Sequence, residues 1–194
     1  MRSGRSQLDF NPSGHIYKLD GAIVPSVTRI LSDLRLIPDY PQVEIYKARG
    51  RAVHLATELF DHGKLAEIDE RLEGYLEAWK GFKMASGFEC QLIEHRVFSN
   101  LFKYAGTIDR VGALDGKPTI VDIKSGAIAG YAALQTSAYR RALLESDGIE
   151  VHRRVAVQVN STGKFKVVEY QDHAGDDRLF LAALGVWRWR EKNL

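Results

Sequence analysis

The sequence predicts an α/β fold with a central mixed β-sheet flanked by helices and a helical N-terminal section. Helical periods of apolar residues run from Ser26 to before Pro38, from after Pro41 to about His62, and through residues 68–85. Strand-like segments follow from residue 89, and Asp115-Gly116 is the strongest hairpin signal in the chain. One more helix and two more strands are expected after residue 130.

The N-terminal part is expected to begin with a hairpin. Alternating apolar and polar positions predict short strands near Leu8 to Phe10 and His15 to Leu19. A helical period then begins after Ser26, a suitable N-cap residue, and stops before Pro38.

Two longer helices are expected next, after Pro41 to about His62 and from about Ile68 to Ala85. The apolar stripe of the first is predicted to consist of Ile45, Ala48, Ala52, Leu55, Ala56 and Leu59. Its adjoining polar face is predicted to consist of Lys47, Arg51, His54 and Glu58.

The remaining elements alternate between strands and helices. The predicted strands are 89–98, 103–114, 117–124, 153–160 and 164–170. The predicted helices are Tyr131 to Leu144 and about Asp176 to Arg190. Gln135 and Tyr139 stand four residues apart, so they share one helix face.

Composition excludes several function classes. Lys and Arg number 27 and Asp and Glu number 25, so the net charge of +2 neither requires nor excludes a polyanionic partner. Cys90 is the single cysteine, which rules out a disulfide framework or a cysteine-ligated metal site within one chain. No window approaches the roughly 20 apolar residues of a membrane span, and a cytoplasmic protein is expected.

Two acidic residues are predicted to face each other across the hairpin. If the turn is symmetric about Asp115-Gly116, Leu114 pairs with Lys117 and Asp109 lies opposite Asp122. Directly opposed side chains lie about 4.5 to 5.5 Å apart at Cβ, and like charges there repel. A divalent cation such as Mg²⁺ would compensate both carboxylates.

Lys124 is expected beside these carboxylates, because strand alternation returns it to the face of Asp122. An ammonium group there can orient an attacking water and stabilise charge on a scissile phosphate. An Asp-x-Lys sequence is by itself more often a solvated strand edge. Here it lies within an apolar run, Ile120, Val121 and Ile123, which is typical of a strand covered on both faces.

Five segments match one nuclease family in the family's order. They are Val24-Pro-Ser-Val-Thr-Arg-Ile-Leu31, Gly50-Arg-Ala-Val-His54, Tyr104-Ala-Gly-Thr-Ile-Asp-Arg110, Val121-Asp-Ile-Lys-Ser-Gly126 and Leu134-Gln-Thr-Ser-Ala-Tyr139. On these segments the chain resembles the RecB-like branch of the PD-(D/E)XK nucleases, which includes phage exonucleases and the mitochondrial genome maintenance exonuclease. Jointly the segments are specific, although singly none is.

The resemblance implies a restriction-endonuclease-like core and one nuclease domain over residues 1–194. Residues 1–87 would form the N-terminal hairpin and helical section that contributes His54, and residues 88–194 the catalytic α/β core. Some relatives bind an iron–sulfur cluster through four cysteines, but with Cys90 alone no such cluster is expected here.

The resemblance also implies roles for individual residues. His54, Asp109 and Asp122 would bind the metal, with Ile123 included in the metal-binding set, and Lys124 would be the catalytic lysine. Gln135 and Tyr139 would position substrate or active-site groups, although an ordinary amphipathic helix also explains them. Glu94 would be a ligand or a supporting group. The candidate DNA contacts are Ser26, Thr28, Arg29, Lys47, Arg51, Arg110 and Ser125.

The predicted function is a DNA exonuclease that depends on one or two Mg²⁺ or Mn²⁺ ions and prefers single-stranded DNA. A groove closed by the N-terminal helices would admit one strand more readily than a duplex. Three alternatives remain open: a duplex- or structure-specific nuclease of the same fold, a noncatalytic DNA-binding module, and a phosphohydrolase acting on nucleotides. The oligomeric state is not predicted.

Overall fold

A computed structural model describes residues 6–38 and 43–194 of the chain. The strands are β1 Leu8–Asn11, β2 Ile16–Leu19, β3 Ala22–Val24, β4 Glu89–Ser99, β5 Tyr104–Leu114, β6 Lys117–Lys124, β7 Arg153–Val159 and β8 Phe165–Glu169. The helices are α1 Val27–Asp33, α2 Val43–Asp61, α3 Glu70–Ser86, α4 Tyr131–Asp147 and α5 His173–Asn193.

The central sheet has five strands in the order β4-β5-β6-β7-β8. β6 and β7 are parallel and the other neighbours are antiparallel, which confirms the predicted mixed sheet. The parallel pair requires a crossover connection, and α4 supplies it. This crossover brings α4 back across the sheet, beside the strands that carry the acidic residues.

Helices cover both faces of this sheet. On one face, α1, α4 and α5 pack over a core that includes Ile30, Ile120, Leu143 and Phe180. On the other face, α2 and α3 contribute residues such as Val53 and Trp79. β6 supplies side chains to both cores, because Ile120 belongs to the first and Val121 and Ile123 to the second. Successive residues of a strand point to opposite faces of the sheet. Asp122 therefore lies on the same face as Ile120, which is the face that α4 covers.

A second sheet, β1-β2-β3, lies near the N-terminus. Tyr17, Leu19 and Val24 pack with Ala105 in a small core of their own. The Ala105 amide also donates to the Pro25 carbonyl at 3.0 Å, which ties this sheet to β5. The sequence predicted the first two strands but not β3, a three-residue strand whose Ile23 is exposed.

The predicted apolar stripe of α2 is only partly correct. Ala56 is buried as predicted, but Ile45 and Leu55 are 64% and 54% exposed, and Val53, which was not included in the stripe, is buried. The polar side chain of Thr57, next to Ala56, is also fully buried. The predicted start of the helix after Pro41 falls outside the described residues.

The other elements follow the predictions with small shifts at their ends. Ser26 caps α1 as predicted, and its hydroxyl accepts a hydrogen bond from the Arg29 amide at 3.1 Å. α4 runs three residues beyond the predicted Leu144 and is capped by Gly148, and α5 is longer than predicted at both ends. No helix among residues 6–38 and 43–194 is long and apolar enough to cross a bilayer.

Candidate metal and active site

The predicted β5–β6 register is confirmed as far as Arg110, which pairs with Val121. Beyond this pair the regular pairing of β5 with β6 ends. The Oδ2 atom of Asp109 accepts a hydrogen bond from the Ile123 amide at 2.6 Å, so a side chain bonds β6 where the strand pairing ends. The strand pairing thus stops before Asp109 and Asp122, which are not the direct partners that the sequence predicted, although both side chains reach the same cavity.

Both aspartates line a cavity of about 230 Å³. The walls come from the N-terminal sheet, α1, α2, the central sheet and α4. The lining residues are His15, Tyr17, Ser26, Thr28, His54, Glu94, Gly106, Thr107, Asp109, Asp122, Lys124, Gln135 and Tyr139. The structure thus brings together nine of the candidate residues named from sequence, from six separate segments of the chain.

Three of these side chains form a group able to hold a metal ion. Ligand atoms of His54, Glu94 and Asp109 all lie within 4.8 Å of one another. The His54 Nδ1 atom is 3.5 Å from Asp109 Oδ1 and 3.7 Å from Glu94 Oε1. The sequence predicted His54, Asp109 and Asp122 as the ligands. In the structure Glu94, on β4, takes the place of Asp122 in this group.

The backbone of Ile123 orients two of these groups. Its carbonyl lies 3.0 Å from His54 Nε2, and this hydrogen bond requires the proton on Nε2. The Nδ1 atom that faces the carboxylates is then free to present a lone pair to a cation. The Ile123 side chain is fully buried in the α2–α3 core, so only its backbone faces the site, and its predicted place among the metal-binding residues stays a prediction.

A second chain of polar contacts runs from Asp122 into α4. The Lys124 ammonium donates to Asp122 Oδ1 at 3.1 Å and to Gln135 Oε1 at 2.9 Å. The Gln135 amide in turn donates to the Tyr139 hydroxyl at 3.2 Å. Gln135 is 7% exposed and Tyr139 4%, so neither lies on an open helix surface.

Burial dominates the electrostatics of the two aspartates. Burial, together with the neighbouring charge of Asp109, raises the pKa of Asp122 to about 6 despite the nearby Lys124. Burial likewise raises the pKa of Asp109, although His54 opposes the shift. Burial alone would lower the pKa of His54, but Asp109 and Glu94 outweigh it and raise that pKa to about 9.

The donor set fits a divalent metal ion. Imidazole nitrogen and carboxylate oxygen are both ligands for Mn²⁺, and Mg²⁺ accepts one or two carboxylates completed by water. A buried oxygen supports the fit, because Asp122 Oδ2 has no hydrogen-bond partner within residues 6–38 and 43–194 although Lys124 Nζ is 2.9 Å away. His54, Glu94 and Asp109 would hold the ion, with Asp122 next to them.

Arg110 does not occupy the position expected of a DNA contact. Its side chain is fully buried and pairs with the equally buried Asp61 at 2.7 Å. It also donates to Glu94 at 3.1 Å. A phosphate cannot reach a guanidinium that is enclosed in this way, so the predicted DNA contact of Arg110 is wrong.

The other predicted DNA contacts divide into two groups. Ser26 and Thr28 line the cavity, and Ser125 follows Lys124 directly. Arg29 lies outside the cavity lining, where it bonds Asp33 at 3.4 Å and lies over the Trp187 ring. Lys47 and Arg51 are exposed on α2, and Lys47 bonds Glu44 at 3.1 Å.

Sequence reasoning missed three groups that shape the site. Asp61 lies two turns after His54 on the same side of α2, and that spacing was a usable signal. Tyr17 and Thr107 bond each other at 2.8 Å across the cavity wall. Their partnership joins the N-terminal sheet to β5, a contact between distant segments that no local pattern indicates.

Comparison with known proteins gives a similarity in fold. No family model and no curated protein matches the sequence. The structure is similar to the crystal structure of a candidate exonuclease from Eubacterium rectale, with a TM-score of 0.52 and 12% sequence identity over 88% of this chain and 74% of that one. At this identity the similarity concerns the fold alone, an α/β fold with a five-stranded mixed sheet flanked by helices.

Proposed function

We propose that the protein is a metal-dependent deoxyribonuclease of the RecB-like branch, acting as an exonuclease on single-stranded DNA. The observation that carries the proposal is the convergence of His54, Glu94 and Asp109 on one point, with Asp122 and Lys124 in the same cavity. The candidate exonuclease of similar fold supports this reading. Mn²⁺ or Mg²⁺ would supply Lewis acidity and lower the pKa of a bound water.

Lys124 acts in this proposal as a donor and not as a base. Burial alone would lower its pKa, but the attraction of Asp122 outweighs burial and raises the pKa above the usual lysine value. The ammonium has three N–H groups. Two of them are directed at Asp122 and Gln135, which leaves one to donate to a water or to a phosphate oxygen. Charge that develops on the phosphate is thereby stabilised.

The size of the cavity supports an unpaired substrate. At about 230 Å³ it is smaller than the roughly 300–1,000 Å³ of sites that enclose drug-sized ligands. One nucleotide unit at the scissile phosphate suits such a volume better than a base pair does. The phosphate at the cavity rim would meet the hydroxyls of Ser26 and Thr28.

The N-terminal sheet supports the same reading. His15 is exposed beside the cavity, and its ring packs edge-on against Phe10 and Tyr17 at centroid distances of 5.2 and 5.3 Å. The guanidinium of Arg96 covers the Phe10 ring at 4.7 Å. Aromatic and guanidinium faces of this kind stack with the bases of single strands without regard to sequence.

Asp122→Asn tests the proposal. We expect the variant to lose at least about 100-fold in hydrolysis of a labelled single-stranded oligonucleotide, because one metal-facing charge is removed. Binding of the same oligonucleotide, measured by fluorescence anisotropy in Ca²⁺, should be retained. Equal hydrolysis by both proteins, or full activity in excess chelator, would contradict the proposal.

Circular and duplex substrates separate the alternatives. A single-strand exonuclease degrades linear single strands and leaves circular single strands intact. Cutting of circles would indicate an endonuclease of the same fold. Binding of DNA with no metal-dependent hydrolysis in the unaltered protein would indicate a noncatalytic module.

A further inference from the structure

We propose that the buried Arg110–Asp61 ion pair is a positioning device that holds Glu94 in place as a metal ligand beside His54 and Asp109. The inference rests on the proposed function, since it concerns the same metal site. It assigns a role to two residues that do not themselves face the cavity.

The guanidinium of Arg110 makes contacts on all sides. Nε donates to Asp61 Oδ2 at 2.7 Å, and Nη2 donates to Thr57 Oγ1 at 3.1 Å. Nη1 donates both to Glu94 Oε1 at 3.1 Å and to the carbonyl of Asp109 at 2.6 Å. One planar group therefore fixes the Glu94 carboxylate and the backbone of the neighbouring ligand together.

The same pair connects Glu94 to the helix that carries His54. Asp61 is the last residue of α2, and Thr57 lies one turn before it on that helix. Trp79 and Lys83 from α3 also donate to Asp61, at 3.0 and 2.6 Å, so this carboxylate is itself held firmly. Movement of Glu94 relative to His54 would break these contacts.

The backbone of Glu94 shows why such support is needed. Its φ is +46°, although it lies within a strand between residues paired with β5. A non-glycine residue in this region is strained and persists only where the surroundings fix it. Glu94 is partly exposed on its cavity side, with 28% of its side chain accessible, whereas Arg110 beneath it is fully buried. The buried guanidinium is thus the firm part of the contact.

A charge-balanced double variant tests the role. Asp61→Asn with Arg110→Met removes both charges and keeps an acceptor for the Trp79 indole, so the fold should survive. We expect its affinity for Mn²⁺, measured by calorimetry on metal-free protein, to fall about 10- to 100-fold. Lys80→Met is the matched control, because Lys80 lies on the same helix as Trp79 but bonds Glu77 and not Asp61 or Glu94, and its Mn²⁺ affinity should match the unaltered protein.

A double-mutant cycle separates positioning from general stability. Glu94→Gln should weaken Mn²⁺ binding about tenfold or more in the unaltered background and by less than about threefold in the double variant, because there Glu94 is already misplaced. Equal losses in both backgrounds would overturn the inference.

Arg110→Lys gives a second, independent measurement should the double variant fail to fold. Its single ammonium keeps the charge but cannot bridge Asp61 and Glu94 as the guanidinium does, so Mn²⁺ affinity should again fall. Unchanged affinity would overturn the inference while leaving the proposed function intact. Absence of Mn²⁺ binding by the unaltered protein would overturn both.

Discussion

At the scale of single residues, Lys124 is the side chain whose chemistry the surroundings define most clearly. It is enclosed by Asp122 and Gln135, and its pKa lies above the usual lysine value. We expect Lys124→Gln to lower kcat about 100- to 1,000-fold, the loss typical of a missing transition-state donor. Mn²⁺ affinity should not fall, because a cation near the carboxylates has been removed. Single-turnover hydrolysis and calorimetry check the two parts, and a loss of metal binding would contradict this role.

Gly106 is a residue whose side chain would collide with the site. A Cβ at this position would lie 2.5 Å from Cε1 of Tyr139, a buried ring that bonds Gln135. We expect Gly106→Ala to destabilise the fold by about 1–3 kcal/mol, as overpacking does, and also to lower kcat. The activity loss follows because a displaced Tyr139 disturbs the bond between Gln135 and Lys124. Denaturant unfolding and kinetics measure the two effects.

Two further variants control the Gly106 experiment. Gly130→Ala places a methyl group where, apart from Gly130, its chain neighbours and the adjacent helix backbone, no heavy atom of residues 6–38 and 43–194 lies within 4 Å, so it should leave kcat unchanged. Tyr139→Leu removes the ring that the new methyl group meets, so Gly106→Ala should destabilise less in that background. Additive losses in the double variant would show that the collision is not the cause.

Residue patterns alone placed the site only where strand register determines it, whereas His54, Glu94, Gln135 and Tyr139 came from the family resemblance. Asp109, Asp122 and Lys124 could be placed because the Asp115-Gly116 turn fixes which residues face each other. Arg110 was misplaced because its burial depends on Asp61, a residue 49 positions away. The role of Glu94 depends on a positive φ within a strand, and nothing in a glutamate's neighbours signals that conformation.

At the scale of elements, the β1–β2 hairpin is the part of the fold best placed to contact a substrate base. His15, in its turn, is exposed at the cavity. We expect His15→Ala to raise KM for a single-stranded oligonucleotide about tenfold, the loss expected for one stacked base. Hydrolysis of bis(p-nitrophenyl) phosphate, which has no base, should not change. Steady-state kinetics on both substrates provides the comparison.

The control for the hairpin lies in the same turn. Ser13→Ala alters an exposed side chain that is not part of the cavity wall and should leave both KM values unchanged. A nucleotide analogue without a base at the end of the oligonucleotide should erase the difference between His15→Ala and the unaltered protein. Equal losses on the small phosphate ester would instead indicate that the hairpin supports the chemistry.

Element prediction succeeded where turn and capping residues act locally and failed where tertiary packing decides. The strands β5 and β6 and the cap of α1 follow from local sequence, since turn and capping residues act over a few positions. The buried face of α2 was misjudged because this helix also turns His54 and Asp61 inward. A polar site on the buried side makes the apolar period ambiguous, and Ile45 and Leu55 remain exposed.

At the scale of the whole molecule, the metal site joins elements that are distant in sequence. Its groups come from α2, β4, β5 and β6, and the N-terminal sheet and α4 complete the cavity. A cation at this point would therefore stabilise the folded chain as a unit, because binding to the folded state alone adds to its stability. We expect Mn²⁺ at about 100 times its Kd to stabilise the protein by about 2.7 kcal/mol. Thermal unfolding should show this as a rise in Tm of roughly 5–10 °C.

The stabilisation by Mn²⁺ should grow with pH. In the metal-free protein the pKa of His54 is raised to about 9 and that of Asp122 to about 6, so both groups hold protons more tightly than in the unfolded chain. Their contribution to the stability of the metal-free protein is present at low pH and is lost as pH rises through these values. A metal ion must displace the same protons, so its affinity increases over that range.

The Mn²⁺-induced rise in Tm is consequently expected to be larger at pH 8.5 than at pH 6.5, and calorimetry in buffers of different ionisation enthalpy should detect proton release on binding. His54→Gln removes the group that titrates near pH 9, so the difference between the two pH values should shrink in that variant even though weaker Mn²⁺ binding remains. A rise in Tm that is the same at both pH values in the unaltered protein would mean that His54 does not exchange its proton for the metal. The ion would then be held by carboxylates alone, and the orienting hydrogen bond from His54 to Ile123 would serve the fold and not the site.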